Sequence, residues 1–377
     1  MMEMRDFPGI GRKISLLGFG CMRLPKIVPD KPGIDQPLAE KMIDLALGQG
    51  VNYFDTAWPY HDGLSESFLG RTLSRYPRES FNLADKMPSW IVRSVQEVEE
   101  LFGEQLKKCR VDYFDFYLMH NLCADTYKTM LDLGVYEILS KKKEQGLIRR
   151  LGFSFHDHPA TLERIAADYP WDFVQIQLNY LDWEDYESGK MYAILSERGI
   201  PAVIMEPVRG GALAVLNPQA LEILRAANPK VSPASWAIRY AASLPGVLTV
   251  LSGMSNLEQV QDNLNTMTSF QPLSEAERAT LAEAAAAYRL SRPVPCTGCG
   301  YCMDCPSGVN IPKVFAVYNH AKPLNVRRFF EVFYGVIPEG ERARNCVACG
   351  QCATHCPQNI DIPERMKEIA AEAGIKL

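Results

Sequence analysis

Short apolar runs alternate with amphipathic stretches along the first two-thirds of the chain. The runs cover residues 14–22, 53–57, 81–86, 113–120, 148–155, 173–179, 201–207 and 247–253. Each has strand length and is rich in β-branched or aromatic residues. Helix-like segments lie between them. Residues 37–49 open on a proline, place Leu38, Met42, Leu45 and Ala46 on one face, and stop at Gly50. Residues 89–108, 125–145 and 184–198 follow the same pattern, the last two ending near Gly146 and Gly199. Strand then helix, repeated eight times over roughly 250 residues, predicts a (β/α)8 TIM barrel. An open doubly wound sheet is the competitor, but it usually binds its nucleotide through a G-x-G-x-x-G turn, and the chain has none.

A helix over 273–290 closes this region. The segment 291–295, Ser-Arg-Pro-Val-Pro, then reads as a linker, after which composition shifts from Ala and Leu to Cys, Gly and Pro. We place the domain boundary there, with a barrel over 1–290 and a small, mainly α-helical module over 291–377. Helices are expected at 311–320 and 326–334. No apolar run reaches membrane-span length, the first residues form no apolar signal core, and the net charge is -5. These features argue against membrane and nucleic-acid partners and place the protein in the cytoplasm.

The cysteines change this picture most. Of 11, eight fall in two groups, Cys296, Cys299, Cys302 and Cys305, then Cys346, Cys349, Cys352 and Cys356. Cys21, Cys109 and Cys123 are scattered and read as small buried apolar residues. The second group follows the bacterial ferredoxin run C-x2-C-x2-C-x3-C-P, and the first is one residue short in its last gap. In such runs the last cysteine usually ligates the other cluster. The pattern predicts two [4Fe-4S] clusters, one on Cys296, Cys299, Cys302 and Cys356, the other on Cys346, Cys349, Cys352 and Cys305. Structural zinc also uses C-x2-C pairs, but needs four ligands, not two triplets each trailed by Cys-Pro. The roughly forty residues between the groups make the module resemble the α-helical ferredoxins of larger redox enzymes.

Barrel chemistry sits at the C-terminal ends of strands. Asp55 is near the end of the second predicted strand, Lys86 ends the third, His120 ends the fourth, and Tyr60 follows Asp55 in a loop. Together they suggest proton transfer to a carbonyl oxygen. The expectation is that the Lys86 ammonium lowers the Tyr60 pKa, Asp55 holds Lys86, and His120 orients the substrate oxygen. Asp85 should point away from Lys86, to the other face of its strand.

Residues 52–70, Asn-Tyr-Phe-Asp-Thr-Ala-Trp-Pro-Tyr-His-Asp-Gly-Leu-Ser-Glu-Ser-Phe-Leu-Gly, resemble the aldo/keto reductase signature. That family's Asp–Tyr–Lys–His tetrad maps onto Asp55, Tyr60, Lys86 and His120, and the resemblance runs to about residue 270. It implies NADPH or NADH bound across the barrel mouth. Gly20, Cys21 and Met22 would line the cofactor, Ser154 and Gln175 would hold the carboxamide, and Ser252 and Asn263 would lie near the pyrophosphate and adenine ends. Met205 stands where the family often stacks an aromatic ring on the nicotinamide. Gly253 and Gln259 occupy the places of a basic pair that grips a 2′-phosphate. The whole resembles a ferredoxin-tailed branch of the family, an oxidoreductase acting on a small molecule, with a ferredoxin or other redox protein as electron partner.

Nicotinamide gives two electrons together and a [4Fe-4S] cluster passes one. A flavin, which would convert between them, is a further candidate cofactor, although no flavin motif is seen. Three readings follow. One is carbonyl reduction by NAD(P)H with Tyr60 as proton donor and the clusters transferring electrons or accessory. Another is a cluster-fed single-electron reductase without nicotinamide. The third is a non-catalytic electron carrier or redox sensor.

Overall fold

The computed structural model describes residues 1–7, 10–28, 32–289, 294–321, 334–335 and 337–373. Eight parallel strands close into a barrel in chain order. They are β1 (Leu17–Gly20), β2 (Tyr53–Asp55), β3 (Asn82–Pro88), β4 (Phe114–Leu122), β5 (Ile148–Phe155), β6 (Phe173–Gln177), β7 (Ala202–Met205) and β8 (Val247–Gly253). Pairing of Val250 with Leu17 through Gly253 with Gly20 closes the ring. Each predicted run holds one barrel strand. The first run divides, because Ser15 is tied sideways to Asn52 through its backbone N–H and its hydroxyl. Ile14–Ser15 therefore pairs with Met4–Arg5, and β1 begins at Leu17.

Strand alternation sorts the side chains. Tyr53, Ala84, Phe116, Leu118, Phe173 and Val203 pack inside the barrel with Phe7 and Ile10. Their outward neighbours, such as Phe54, Leu83, Tyr117 and Met119, join the larger core under the helices.

Helix α1 (Gln36–Gly48) is capped by Asp35, which accepts from Leu38 N–H, and it buries Ala39, Met42, Ile43 and Ala46. Helix α2 (Ser65–Leu73) follows the Tyr60 loop. Helix α3 (Val95–Cys109) starts later than the pattern over 89–108 suggests. Ser89 is drawn into the barrel mouth, where its hydroxyl donates to the His120 carbonyl, and Ser94 supplies the cap. The stretch 125–145 is two helices, Ala124–Asp132 and Val135–Glu144, broken at Gly134 with φ 62°. The stretch 184–198 is likewise broken, at Glu187 with φ 52°.

Gly70 on α2 meets the end of α3 so closely that an added Cβ would lie 2.2 Å from the Lys108 carbonyl oxygen. Gly70→Ala should lower stability by about 1–3 kcal/mol or more through overpacking. Calorimetry checks this, and an unchanged thermal midpoint would contradict the close approach.

The chain divides into two compact units, Met1–Val208 with Ala234–Glu275, and Arg209–Pro233 with Ala276–Leu377. The second holds more than the cysteine-rich tail. Helix Pro218–Ala227 and nearly all of Glu275–Arg289 belong to it, joined by Asn217 Nδ2 donating to Ala287 O at 3.0 Å. The composition break at 290–291 and most of the linker lie outside the described residues, as does the helix expected at 326–334 apart from Tyr334. The cysteine module has its own core of Val309, Ile311, Val314, Phe315, Ile362, Met366 and Ile369. The expected helix at 311–320 is present as Ile311–Ala321.

Candidate active site and cluster sites

Alternation also places the charged residues. Asp55, Lys86 and His120 each stand two positions beyond an inward-facing residue, Tyr53, Ala84 and Leu118. All three therefore point into the C-terminal mouth. Lys86 is fully buried. Its ammonium donates to Asp55 Oδ1 at 2.7 Å, to the Thr56 carbonyl at 2.6 Å and to the Tyr60 hydroxyl at 3.4 Å. Those three acceptors match its three protons. The Tyr60 loop is held in place by a run of left-handed backbone at His61, Asp62 and Gly63, and by Leu24 N–H donating to His61 Nε2 at 3.1 Å. Left-handed conformations at non-glycine residues are strained and mark functional loops.

Burial sets the proton inventory. It pushes the Asp55 carboxyl up, opposed by the Lys86 charge beside it. It also holds the Tyr60 phenol well above its ordinary value, reinforced by the neighbouring acidic groups of Asp55, Cys21, Asp85 and Glu206. The expected lowering of the phenol by the ammonium is thus reversed: desolvation dominates, and the Lys86 charge is taken up by Asp55. His120 is held well below its ordinary value by burial and by the nearby Lys86 and His156, so its imidazole is neutral. Its ring meets Trp90 edge-on at 5.0 Å and Tyr60 at 6.0 Å.

Gly20 pairs with Asp55 on one side and Gly253 on the other. Cys21 is buried, with its thiol pushed up by burial, and Met22 is half-buried. Ser154 and Gln175 are direct partners across β5 and β6. The Ser154 hydroxyl oxygen accepts from Asn121 N–H, and Gln175 Nε2 donates to Met205 Sδ at 3.5 Å. Asn263 donates to the Ser252 hydroxyl at 2.9 Å. The candidate nucleotide residues thus form a strand-end set and a Ser252–Asn263 pair.

The eight clustered cysteines separate into two sets of four. Cys296, Cys299, Cys302 and Cys356 line one pocket, and Cys305, Cys346, Cys349 and Cys352 line another. Gly298 and Ala348, just before the second cysteine of each triplet, have φ 69° and 53°, and Gly300 and Gly350, just after it, have φ 83° and 79°. The two loops therefore turn alike. Burial raises the Cys302 thiol, helped by Cys299, Cys296 and Cys356. Burial raises Cys352 too, with Cys346, Cys305 and Cys349 among its neighbours.

Residues 16–286 match the model of the aldo/keto reductase family. The chain belongs to the aldo/keto reductase family. Residues 295–360 match a 4Fe-4S dicluster domain, so this is an iron-sulfur oxidoreductase of aldo/keto reductase type. It is 26% identical to L-galactose dehydrogenase of Arabidopsis thaliana over 310 residues, 75% of this chain and 93% of that one. It also resembles the holo form of an aldo-keto reductase from Bacillus halodurans, with TM-score 0.63 and 26% identity over 75% of this chain and 96% of that one. An aldo-keto reductase from Klebsiella pneumoniae in complex with NADPH shares the fold, with TM-score 0.59 and 20% identity over 76% of this chain and 95% of that one.

The reductase's mouth has polar atoms suited to a bound ligand. Asp55 Oδ2, His120 Nδ1 and Gln175 Oε1 are buried and have no hydrogen-bond partner among the described residues. Buried polar atoms are normally paired, and a carboxamide and a substrate oxygen have the chemistry to pair them. The two cavities offer four thiols each, the donor set of a [4Fe-4S] cluster.

Several site residues escape the strand-end reading. His156 lies two positions beyond Ser154 on β5's inward face, and burial lowers it to about 4. The alternation that locates His120 locates it as well. The Thr56 carbonyl under Lys86 has no sequence signal. Nor has Arg23, whose side chain fills the space a Cβ at Gly253 would enter and reaches to 3.6 Å from Glu206 Oε1.

Proposed function

We propose that this oxidoreductase reduces a carbonyl or related group with NAD(P)H, Tyr60 giving the proton. The observation that carries this reading is the buried Lys86 joining Asp55, Thr56 and Tyr60 near a neutral His120 whose Nδ1 has no hydrogen-bond partner among the described residues. A reduced nicotinamide held by Gly20, Cys21, Met22, Ser154, Gln175 and Met205, with Ser252 and Asn263 toward its far end, would supply hydride. The protein then holds and moves the proton. Tyr60 keeps its hydroxyl proton at neutral pH and delivers it to the substrate oxygen. Lys86 steadies the phenolate left behind, and Asp55 keeps Lys86 in place. Neutral His120 donates a hydrogen bond that orients the oxygen. The assigned roles follow the family resemblance and the placement of each residue at the mouth.

The proposed division is a barrel module over 1–290 and a ferredoxin-type module over 291–377, which would carry two [4Fe-4S] clusters on the two cysteine sets. A ferredoxin or another redox protein is the proposed partner. Thiolate-bound clusters suit the reducing cytoplasm. In this reading nicotinamide and clusters form separate paths. Anaerobic titration of the cluster-loaded protein with NADPH and with NADH tests this through cluster absorbance. Neither nucleotide should bleach the clusters, while dithionite should. Bleaching by either would join the two paths and require a hidden one-electron converter.

A further inference from the structure

Asp85 is the residue next to Lys86 on the opposite face of β3, and it is fully buried. A carboxyl group is costly there, and nothing in the proton transfer uses it. Its surroundings give it a role. Strand β2 stops pairing at Asp55, opposite Ala84, where Thr56 N–H still donates to Ala84 O. Backbone groups two residues apart on a strand point the same way. The N–H and C=O of Lys86 therefore face the side on which β2 has ended. Both are nonetheless paired. Lys86 N–H donates to Asp85 Oδ1 at 2.8 Å, and Gln105 Nε2 of α3 donates to Lys86 O at 3.0 Å.

The groups that hold these two side chains are also buried. Cys109 Sγ donates to Asp85 Oδ2 at 3.6 Å. Gln105 Nε2 donates to Glu66 Oε1 at 2.9 Å, and Gln105 Oε1 accepts from the Tyr117 hydroxyl. Glu66 Oε2 accepts from Lys108 at 3.0 Å. The Lys108 ammonium rests 3.5 Å over the Trp58 ring, in the loop that carries Tyr60.

We propose that Asp85 and Gln105 are positioning residues for Lys86, clamping its peptide from outside the barrel where the strand ladder has ended. The inference rests on the reading of Lys86 as part of the proton-transfer group. Loss of either clamp frees the backbone of a residue whose ammonium must meet three acceptors, and small misplacements at a reacting centre cost up to about a hundredfold in rate.

The test uses the full, cluster-loaded chain with Asp85→Ala, Asp85→Asn and Gln105→Met. Crystal structures of the variants read the distance from Lys86 Nζ to Asp55 Oδ1, 2.7 Å in the native protein. Asp85→Ala and Gln105→Met should lengthen it beyond hydrogen-bond reach. Asp85→Asn keeps an oxygen for the Lys86 N–H and should restore it. Turnover of 4-nitrobenzaldehyde with NADPH should fall about ten- to a hundredfold in kcat, with little change in KM, in the first two variants only. An unmoved Lys86 in Asp85→Ala and Gln105→Met overturns the proposal, and so does equal loss in Asp85→Asn and Asp85→Ala. If Asp85→Ala does not fold, Gln105→Met decides alone by the same distance. Lys86→Met separates the two readings. If it leaves turnover intact, the proton-transfer role fails, whereas a silent clamp beside an inactive Lys86→Met removes only the clamp.

Discussion

Tyr60→Phe should abolish turnover by about 10²–10⁴-fold, the range expected when a positioned proton donor is lost. The variant removes one oxygen and leaves the ring beside the Lys86 ammonium, which lies 4.8 Å from its centroid. Folding and nucleotide affinity should therefore be kept, and kcat should carry the loss. Nucleotide binding followed by fluorescence, beside steady-state rates, separates the two. Unchanged turnover would remove Tyr60 from the chemistry. The pH profile supplies a second check. A phenol held above its ordinary value keeps its proton through the neutral and mildly alkaline range, and a His120 held below its ordinary value stays neutral there. Neither group should then produce a limb in kcat between about pH 7 and 9. A limb in that range that disappears in Tyr60→Phe would mean that the ammonium prevails over burial after all.

That sign is where reading the sequence and reading the structure part company. The sequence places Asp55, Lys86 and His120 at strand ends because each stands at or near the end of a short apolar run of strand length. It does not show how deeply the mouth is buried. Proximity of an ammonium is a local inference, whereas desolvation depends on every element that covers the site, including Trp90 and the left-handed turn after Tyr60. The eight strands were legible as apolar runs, whereas the helix ends were not. Periodicity marks a buried face, but the breaks at Gly134 and Glu187 and the late start of α3 come from backbone turns and from the contact of Ser89 with the His120 carbonyl. Asp85 was legible as outward-facing. Its link to Lys86 was not, because it depends on where the neighbouring strand stops.

Cys356→Ala combined with Cys302→Ala should leave one cluster intact, whereas Cys356→Ala combined with Cys352→Ala should leave none. Cys356 follows Cys346, Cys349 and Cys352 in the chain, yet it lines the cavity of Cys296, Cys299 and Cys302, and Cys305 lines the other. If each run ligated its own cluster, the outcomes would exchange: Cys356 and Cys352 would share a cluster, and their joint loss would spare the other. Iron content and the electron paramagnetic resonance of the reduced protein read the result, with about half the iron kept in the first double variant and almost none in the second. The proposed exchange would also account for the uneven gaps. A residue missing before Cys305 would strain a loop that had to bring it back onto its own triplet, but not one that carries it to the neighbouring cavity. Cross-ligation would further make the module one cooperative object. The helix Ile311–Ala321 supplies Ile311 to the lining of both cavities, and each cluster would tie together two segments some fifty residues apart. A single ligand substitution should therefore loosen the packing around the remaining cluster as well. Faster loss of that cluster in air, compared with the native protein, is the expected sign, and equal lifetimes would show that the two sites fold and fail independently.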